Sequence, residues 1–473
     1  MRDFPRVPPS RPFVAMNGTS FDVLVLGTGP AGQTVATRAA AAGLSVGVVE
    51  TRQPGGTCAL RGCNPKKVLA EAADLHDRWR GLAGKSFASE PLPIDWPTLS
   101  SHMRSFTEPV PASTRDKFES RGIALFESDG GPPPSFVDAE HVRFGDQVLA
   151  GTRVAICTGA RPRDLTFEGG SLVTTSDEFL ALEDLPSRVA FIGGGYISME
   201  FANAVVRSGR RVTVVDSGDR VLDDFDPDLV GLLMTHLRGV GLDLRLHRSV
   251  DRVRAVGEGF ELDLVDDHDQ PTETIAADLV VHGAGRQANL DGMNLPAAGL
   301  ERTKTGLVVD ETMRCSGQRN VFAAGDCCDT GLPPLTPTAE AEADVVSRNL
   351  IEDADHRLDP GPIPMVAYTS PRMGAVGMSH DRATEQVDDL RVYLADTSTK
   401  GPHRKAGQPV AGHKVLADGD GRIVGGHVIG PGAQEQINLL ATAMRHGITV
   451  DALSKTVLAY PTFGADLRGW FDG

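Results

Sequence analysis

The chain has 473 residues, 40% hydrophobic and 23% charged, the balance of a water-soluble globular protein long enough for about three domains of roughly 150 residues. Its formal net charge of −16 sets it against nucleic acid or an anionic membrane, whose phosphates it would repel. No apolar run reaches the ~18 residues needed to cross a bilayer, so neither nucleic acid nor membrane is an expected partner.

Residues 1–20 read as a flexible leader. Arg2, Arg6 and Arg11 alternate with Pro5, Pro8, Pro9 and Pro12 without an apolar signal core, and Met16 is an alternative start. Phe21 to Leu26 is then a short apolar run ending in Gly27-Thr28-Gly29-Pro30-Ala31-Gly32, followed by an Ala-rich helical stretch and a second apolar run ending at Glu50. Strand, glycine turn, helix, strand and acid together predict an adenine dinucleotide site: Gly27 for the tight turn, Gly29 for close approach to a diphosphate, Gly32 for helix packing, Glu50 for a ribose hydroxyl.

Next comes Gly55-Gly56-Thr57-Cys58-Ala59-Leu60-Arg61-Gly62-Cys63-Asn64-Pro65-Lys66-Lys67. Two cysteines five apart, placed at the start of a helix through Val68 to Asp74, read as a redox-active dithiol, because a helix N-terminus favours the thiolate. Inert buried thiols are the alternative. Zinc is disfavoured, since no second Cys/His pair at ligand spacing follows, and no metal site is expected. The other cysteines, Cys157, Cys315, Cys327 and Cys328, lack disulfide-framework spacing, which suits a reducing, cytoplasmic setting.

The dinucleotide pattern returns at Val189–Ile192, Gly193-Gly194-Gly195-Tyr196-Ile197-Ser198, a helix to about Arg207, and Val212–Asp216. Ser198 stands at the third glycine position. Asp216, with no arginine until Arg220, favours a free ribose 2′-hydroxyl and hence NADH over NADPH. Phe106–Pro111 interrupts a helical region, Gly130–Pro134 marks a loop, and His247–Leu264 alternates as strands completing this nucleotide unit. Val280–Arg286, including Gly285, leads back toward the first unit. Asn320–Asp326 is a buried strand ending in an acid, and Thr336-Pro337 opens a helix whose N-terminus suits the electron-rich edge of a flavin. Vicinal Cys327-Cys328 reads as buried thiols beside a cofactor. Strand-like runs near Val376, Val392, Val415 and Val428, then a helix from Glu435 to Arg445, form a third, mixed domain.

From Phe21 to Phe463 the chain resembles the flavoprotein disulfide reductases, the glutathione reductase, dihydrolipoamide dehydrogenase and mercuric reductase group, through its Gly-Gly-Thr-Cys-x4-Cys-x-Pro-x-Lys motif. The resemblance implies an α/β fold with two Rossmann-like units and a C-terminal α+β dimerisation domain. It places FAD on 21–160 and 284–355, NAD(P) on 161–283, with Gly193, Gly195, Tyr196, Asp216 and Gly285 as its site, and a homodimer interface on 362–473. Gly27, Gly29, Gly32, Glu50, Gly56, Thr57, Thr158, Gly159, Asp326 and Thr336 would hold FAD. Cys58 would attack the substrate, Cys63 would lie against the flavin, and Glu200 would pair with Lys66 or Lys67 near the flavin's reactive edge.

One departure bears on substrate. Where the resemblance implies a C-terminal His-Pro-Thr-x-x-Glu, the sequence reads Tyr460-Pro461-Thr462-Phe463-Gly464-Ala465, so the acid–base pair is missing and Tyr460 can only donate a hydrogen bond near neutral pH. His403 or Lys405 is a candidate proton source, although a solvated basic loop is the plainer reading. The expected activity is NAD(P)H reduction of a small disulfide. Reduction of quinones, dyes or metal ions is the alternative, and a redox sensor the third.

Overall fold

The computed structural model describes residues 19–471; the expected leader and Met16 fall almost wholly outside them. The first sheet has seven strands and is built on Ser20–Leu26, which pairs in parallel with Val46–Glu50 and with Gln147–Ile156. Ala124–Glu127 extends one side, and Val321–Ala323 returns from far along the chain to pair with Gln147–Ile156. Val23, Leu24, Val25 and Leu26 are all fully buried, the continuous apolar run of a strand covered on both faces. Helices Pro30–Ala41 and Thr336–Glu352 pack on one face through Val35, Ala36, Ala339 and Ala343.

A second parallel sheet runs in the order Leu242–Arg245, Arg211–Val215, Arg188–Ile192, Leu279–His282, with helix Tyr196–Arg207 after its glycine turn. The strands expected in His247–Leu264 are present, but outside this sheet. Ser249–Val256, Gly259–Val265 and Pro271–Ala277 form their own three-stranded antiparallel sheet, because their alternating pattern leaves one face polar and unsuited to a sheet covered on both sides. Ala160–Pro162 and Arg286–Ala288 pair antiparallel where the chain leaves the first unit and comes back.

The C-terminal part is a five-stranded antiparallel sheet in the order Met365–Ala367, Met373–Gly377, Ile423–Ile429, Gly412–Ala417, Arg391–Asp396. Helix Ala433–Arg445 covers it through Ile437 and Leu440. One expectation fails here. Gly401–Ala406 is a helix, not a solvated loop, and His403 is 5% exposed with its ring stacked on Phe463. Lys405 on the same helix stays exposed. The apolar packing of the segment after Thr462 draws the imidazole inward.

Two buried ionic clusters tie these parts together. Arg207 pairs with Asp77 of helix Cys63–Leu82, which also meets His236 Nε2 at 3.0 Å, while Arg207 reaches the Ser370 carbonyl at 3.4 Å. Lys414 of the C-terminal sheet donates to Asp226 at 2.5 Å.

Candidate active site

The first glycine turn is as tight as its sequence predicts. Gly27 has φ +110°, and a Cβ there would meet the Cys157 carbonyl at 2.4 Å; one on Gly32 would meet the Gly27 carbonyl at 2.1 Å. Gly29 faces Gly56, where a Cβ would lie 2.3 Å from the Gly29 Cα, so the redox segment presses against the turn that receives a diphosphate. Glu50 is anchored by the Thr28 hydroxyl and N–H and by the Arg52 N–H at 3.0 Å, and Thr28 Oγ1 accepts from Gly55 N–H at 2.9 Å. Thr28, silent in the motif, thus links acid, turn and redox segment. Thr158 and Gly159 follow the strand end beside Gly27, and both their carbonyls accept from Asn289.

In the second unit Gly193 has φ +92° and touches Ala284. The departure at Ser198 is accommodated from the other side: a Cβ on Gly283 would clash with Ser198 Oγ at 2.0 Å, so the missing space is supplied by a glycine the sequence motif does not include. Gly195 caps the helix that Tyr196 opens, and Gly285 takes φ +100° beside the linking strand. Asp216 accepts from Gly194 N–H at 2.5 Å and Gly218 N–H at 2.7 Å. The Tyr196 hydroxyl is buried without a partner, and burial raises its pKa.

The cysteines divide between two helices. Cys58 lies inside the short helix Gly56–Arg61, and only Cys63 opens the long helix Cys63–Leu82, so the expectation that both sit at one helix start is corrected. Gly62 makes the break: a Cβ there would sit 2.9 Å from the Thr57 carbonyl. Both thiols are free. Thr336 Oγ1, at the start of helix Thr336–Glu352, donates to Cys58 Sγ at 3.2 Å and lies 3.8 Å from Cys63 Sγ. The pair is electrostatically polarised. The Cys63 thiol is held well below its ordinary value by the Cys58 thiol, with Lys67, Thr336 and Lys66 adding to overcome burial. Cys58 is pushed upward by Cys63 and by burial. In the reduced pair the proton therefore belongs to Cys58 and the charge to Cys63.

Glu200 lies on helix Tyr196–Arg207 with 2% of its side chain exposed. The choice between Lys66 and Lys67 resolves to both: Lys66 Nζ is 3.1 Å and Lys67 Nζ 3.0 Å from its oxygens. The surface salt bridge, the plain alternative, is excluded by that burial. Burial alone would raise the Glu200 carboxyl, but Lys66, Lys67 and the Tyr368 N–H at 3.0 Å outweigh it and hold it below the ordinary range. Lys67 also stands 4.0 Å over the Tyr368 ring. Tyr368 arrives from 168 residues away, and nothing in its local sequence marks it.

Asp326 faces Arg286; burial raises its carboxyl while Arg286 opposes. Cys327 and Cys328 have their sulfurs 4.0 Å apart; Cys327 is fully buried against the Ile156 and Ala324 carbonyls, whereas Cys328 is only partly buried. Among the described residues no cluster of three or more Cys, His, Asp or Glu could hold a metal. Tyr460, by contrast, is 84% exposed.

A dithiol between two dinucleotide-binding units, beside a buried lysine–glutamate cluster, defines a nicotinamide-dependent flavoprotein of the disulfide reductase class. The chain belongs to the pyridine nucleotide-disulphide oxidoreductase family, whose model matches residues 21–343 and whose dimerisation-domain model matches residues 363–468. It is 28% identical over 464 residues to a dihydrolipoyl dehydrogenase of Chlamydia trachomatis, with 94% of each chain covered. It is 26% identical to a mercuric reductase of Lysinibacillus sphaericus, covering 96% of this chain and 82% of that one. Among solved structures, the HOCl-induced flavoprotein disulfide reductase RclA from Escherichia coli superposes with a TM-score of 0.83 at 22% identity, over 95% of this chain and 98% of that one. The family's flavin is FAD. The fit is physical: the Gly29–Gly56 approach leaves room for backbone against a diphosphate and for no side chain.

Proposed function

We propose that the protein is an FAD-containing NAD(P)H oxidoreductase that keeps Cys58 and Cys63 reduced and passes their two electrons to a small disulfide. The observation that carries this reading is the free Cys58–Cys63 pair, with Thr336 Oγ1 donating to Cys58 Sγ at 3.2 Å and the Lys66–Lys67–Glu200 cluster nearby, whose cations help pull the Cys63 thiol below its ordinary value. FAD, held by Gly27, Gly29, Gly32, Glu50, Gly56, Thr57, Thr158, Gly159, Asp326 and Thr336, would supply the carrier between nicotinamide and dithiol. NAD(P)H would lie on Gly193, Gly195, Tyr196, Asp216 and Gly285. Asp216 keeps both oxygens toward backbone N–H groups at the strand end, a carboxylate ready for a ribose hydroxyl and hostile to a 2′-phosphate, which supports NADH.

The cysteines' own chemistry balances without a histidine. Cys58 must lose its proton to attack, and the nearest base is the Cys63 thiolate. Proton transfer between them charges Cys58, which bonds to one sulfur of the disulfide and expels the other as a thiolate that is protonated from solvent. Cys63, deprotonated again, attacks Cys58 Sγ, releases the second thiol and closes Cys58–Cys63. Hydride from NAD(P)H supplies the two electrons that reopen it. Lys66, Lys67 and Glu200 hold charge beside Cys63, and Thr336 orients Cys58. Tyr460 would donate a hydrogen bond from the partner subunit of a homodimer formed through the C-terminal domain.

Anaerobic reduction by NADH tests this. A long-wavelength absorbance from the Cys63 thiolate against oxidised flavin is expected after two electrons, and Cys63→Ser should abolish it while FAD stays bound. Absence of the band in the wild type would sink the account. A second reading, reduction of quinones, dyes or a metal ion, is favoured by Tyr460 and Ala465 in place of a histidine and a glutamate. It prevails if Cys58→Ala leaves turnover of such an acceptor unchanged while no disulfide is turned over.

A further inference from the structure

Tyr460 is 84% exposed, so its place is set by the chain around it rather than by packing of its own ring. The Thr462 hydroxyl brackets it, donating to the Ala459 carbonyl at 2.7 Å and accepting from Ala465 N–H at 3.1 Å. From there the short helical turn Phe463–Gly469 runs to the buried Trp470. The Phe463 carbonyl accepts from Gln436 Nε2 at 2.7 Å. Gly432, with φ +79°, leaves the space that Phe463 fills, since a Cβ there would lie 2.9 Å from it.

Two buried histidines close on this segment, one at each end. His403, on helix Gly401–Ala406, stacks on Phe463 with ring centroids 5.8 Å and planes 10° apart. His413, on strand Gly412–Ala417, stacks on Trp470 at 4.2 Å and 10°. Thr397 Oγ1 lies 3.2 Å from His403 Nε2 and fixes the plane of that ring. Its Nδ1 is buried without a partner, and Asp466 Oδ2, 4.0 Å from Nε2, is beyond hydrogen-bond reach. What His403 gives the segment is therefore its ring face. Burial lowers both imidazoles, His413 to about 4, so both rings stack uncharged at neutral pH.

We propose that His403 and His413 are positioning residues for the dithiol reaction: stacked on Phe463 and Trp470, they hold the turn that follows Tyr460 and so fix where its hydroxyl meets the partner subunit's dithiol. This rests on the reading that Tyr460 serves that dithiol. There the hydroxyl donates a hydrogen bond to the thiolate leaving the substrate, and the gain depends on that sulfur. An alkyl thiolate is basic and slow to leave, and gains most; an aromatic thiolate is weakly basic and leaves readily without help. A displaced Tyr460 therefore slows one kind of disulfide selectively, and makes no demand on reduction of the dithiol by NADH within one chain.

The test compares NADH-driven turnover of hydroxyethyl disulfide, which releases alkyl thiolates, with that of dithiobis(nitrobenzoate), which releases aromatic ones. Tyr460→Phe and Phe463→Leu are each expected to lower kcat for the alkyl disulfide about tenfold, the scale of one hydrogen bond to a charged group, with little change in KM. Both should slow the aromatic disulfide far less and still form the long-wavelength band. The double variant should be no slower than Tyr460→Phe, because a ring that no longer donates has nothing left to position. His403→Ala and His413→Ala should behave as Phe463→Leu does, and His403→Phe, which restores a flat ring, should recover most of the turnover. Phe463→Leu at the wild-type rate, losses that multiply in the double variant, equal losses with both disulfides, or His403→Phe as slow as His403→Ala would each overturn the inference while leaving the role of Tyr460 standing. Tyr460→Phe at the wild-type rate would instead remove Tyr460 from the functional reading, and the inference with it. Should Phe463→Leu fail to fold, His403→Ala combined with Tyr460→Phe carries the same comparison.

Discussion

Lys66 and Lys67 bring two positive charges to the one carboxylate of Glu200, and the Cys63 thiolate supplies the charge that completes the balance. Its ionisation is therefore a property of the cluster. Of the two lysines, Lys67 lowers the Cys63 thiol more than Lys66 does. Removing that cation while Lys66 still pairs with Glu200 should destabilise the thiolate by about one pKa unit, the lower end for loss of an opposite charge. In wild type the long-wavelength band is expected to persist at neutral pH and fade only on acidification, since a depressed thiol pKa keeps the anion present above it and loses it as pH falls through it. Lys67→Met should move the midpoint of that fading upward. A pH titration of the NADH-reduced enzyme decides it, and an unmoved midpoint removes Lys67 from the account.

At the scale of an element, the turn after strand Val321–Ala323 is held to helix Thr336–Glu352 by one buried carboxylate. Glu342 Oε2 accepts from Gly325 N–H at 2.7 Å and Oε1 from the Thr330 hydroxyl at 3.0 Å. Burial pushes its carboxyl up to about 7, with Asp326 adding, against the two hydrogen bonds. The folded state thus binds this proton more tightly than the unfolded chain, whose carboxyl titrates near 4.5. The stabilisation is complete below about 4.5 and lost as pH rises through about 7, on the order of 3 kcal/mol. Glu342→Gln should lack that component, so thermal unfolding compared at mildly acid and mildly alkaline pH should show wild type losing more stability than the variant. Equal pH slopes would refute it. What the sequence could and could not reveal differs at this scale. Both glycine turns, the Thr336 helix start and the Glu435–Arg445 helix were legible because backbone sterics and 3.6-residue periodicity act within a few residues. The break at Gly62, which separates Cys58 from Cys63 by a helix end, was not: a lone glycine reads equally as helix interior. Nor was the detached Ser249–Ala277 sheet, since alternation predicts strands and not which sheet they join.

At the scale of the molecule, the residues the sequence concealed are those that arrive from afar. Tyr368 reaches Glu200 from the C-terminal domain, Asn289 reaches the Thr158–Gly159 turn, and Gly283 makes room for Ser198; each is fixed by tertiary packing that no local pattern records. The Asp77–Arg207–His236 and Lys414–Asp226 clusters then hold the nucleotide-binding parts against the C-terminal sheet, so the dithiol is well supported within one chain. Tyr460 is not part of that support. It is 84% exposed, and Val457 three residues before it is 88% exposed, both within the segment matched by the dimerisation-domain model. A valine that open to water gains about 1.5–3 kcal/mol on full burial, enough to weigh on the association of two subunits. Val457→Asp places a charge in the proposed interface and should shift the protein toward monomer in sedimentation velocity. If Tyr460 serves the partner subunit's dithiol, the same variant should keep NADH-driven appearance of the long-wavelength band, which needs one chain, and lose disulfide turnover, which needs two. Dissociation with undiminished turnover would show that each subunit completes the reaction alone, and that Cys63 is the only base the dithiol requires.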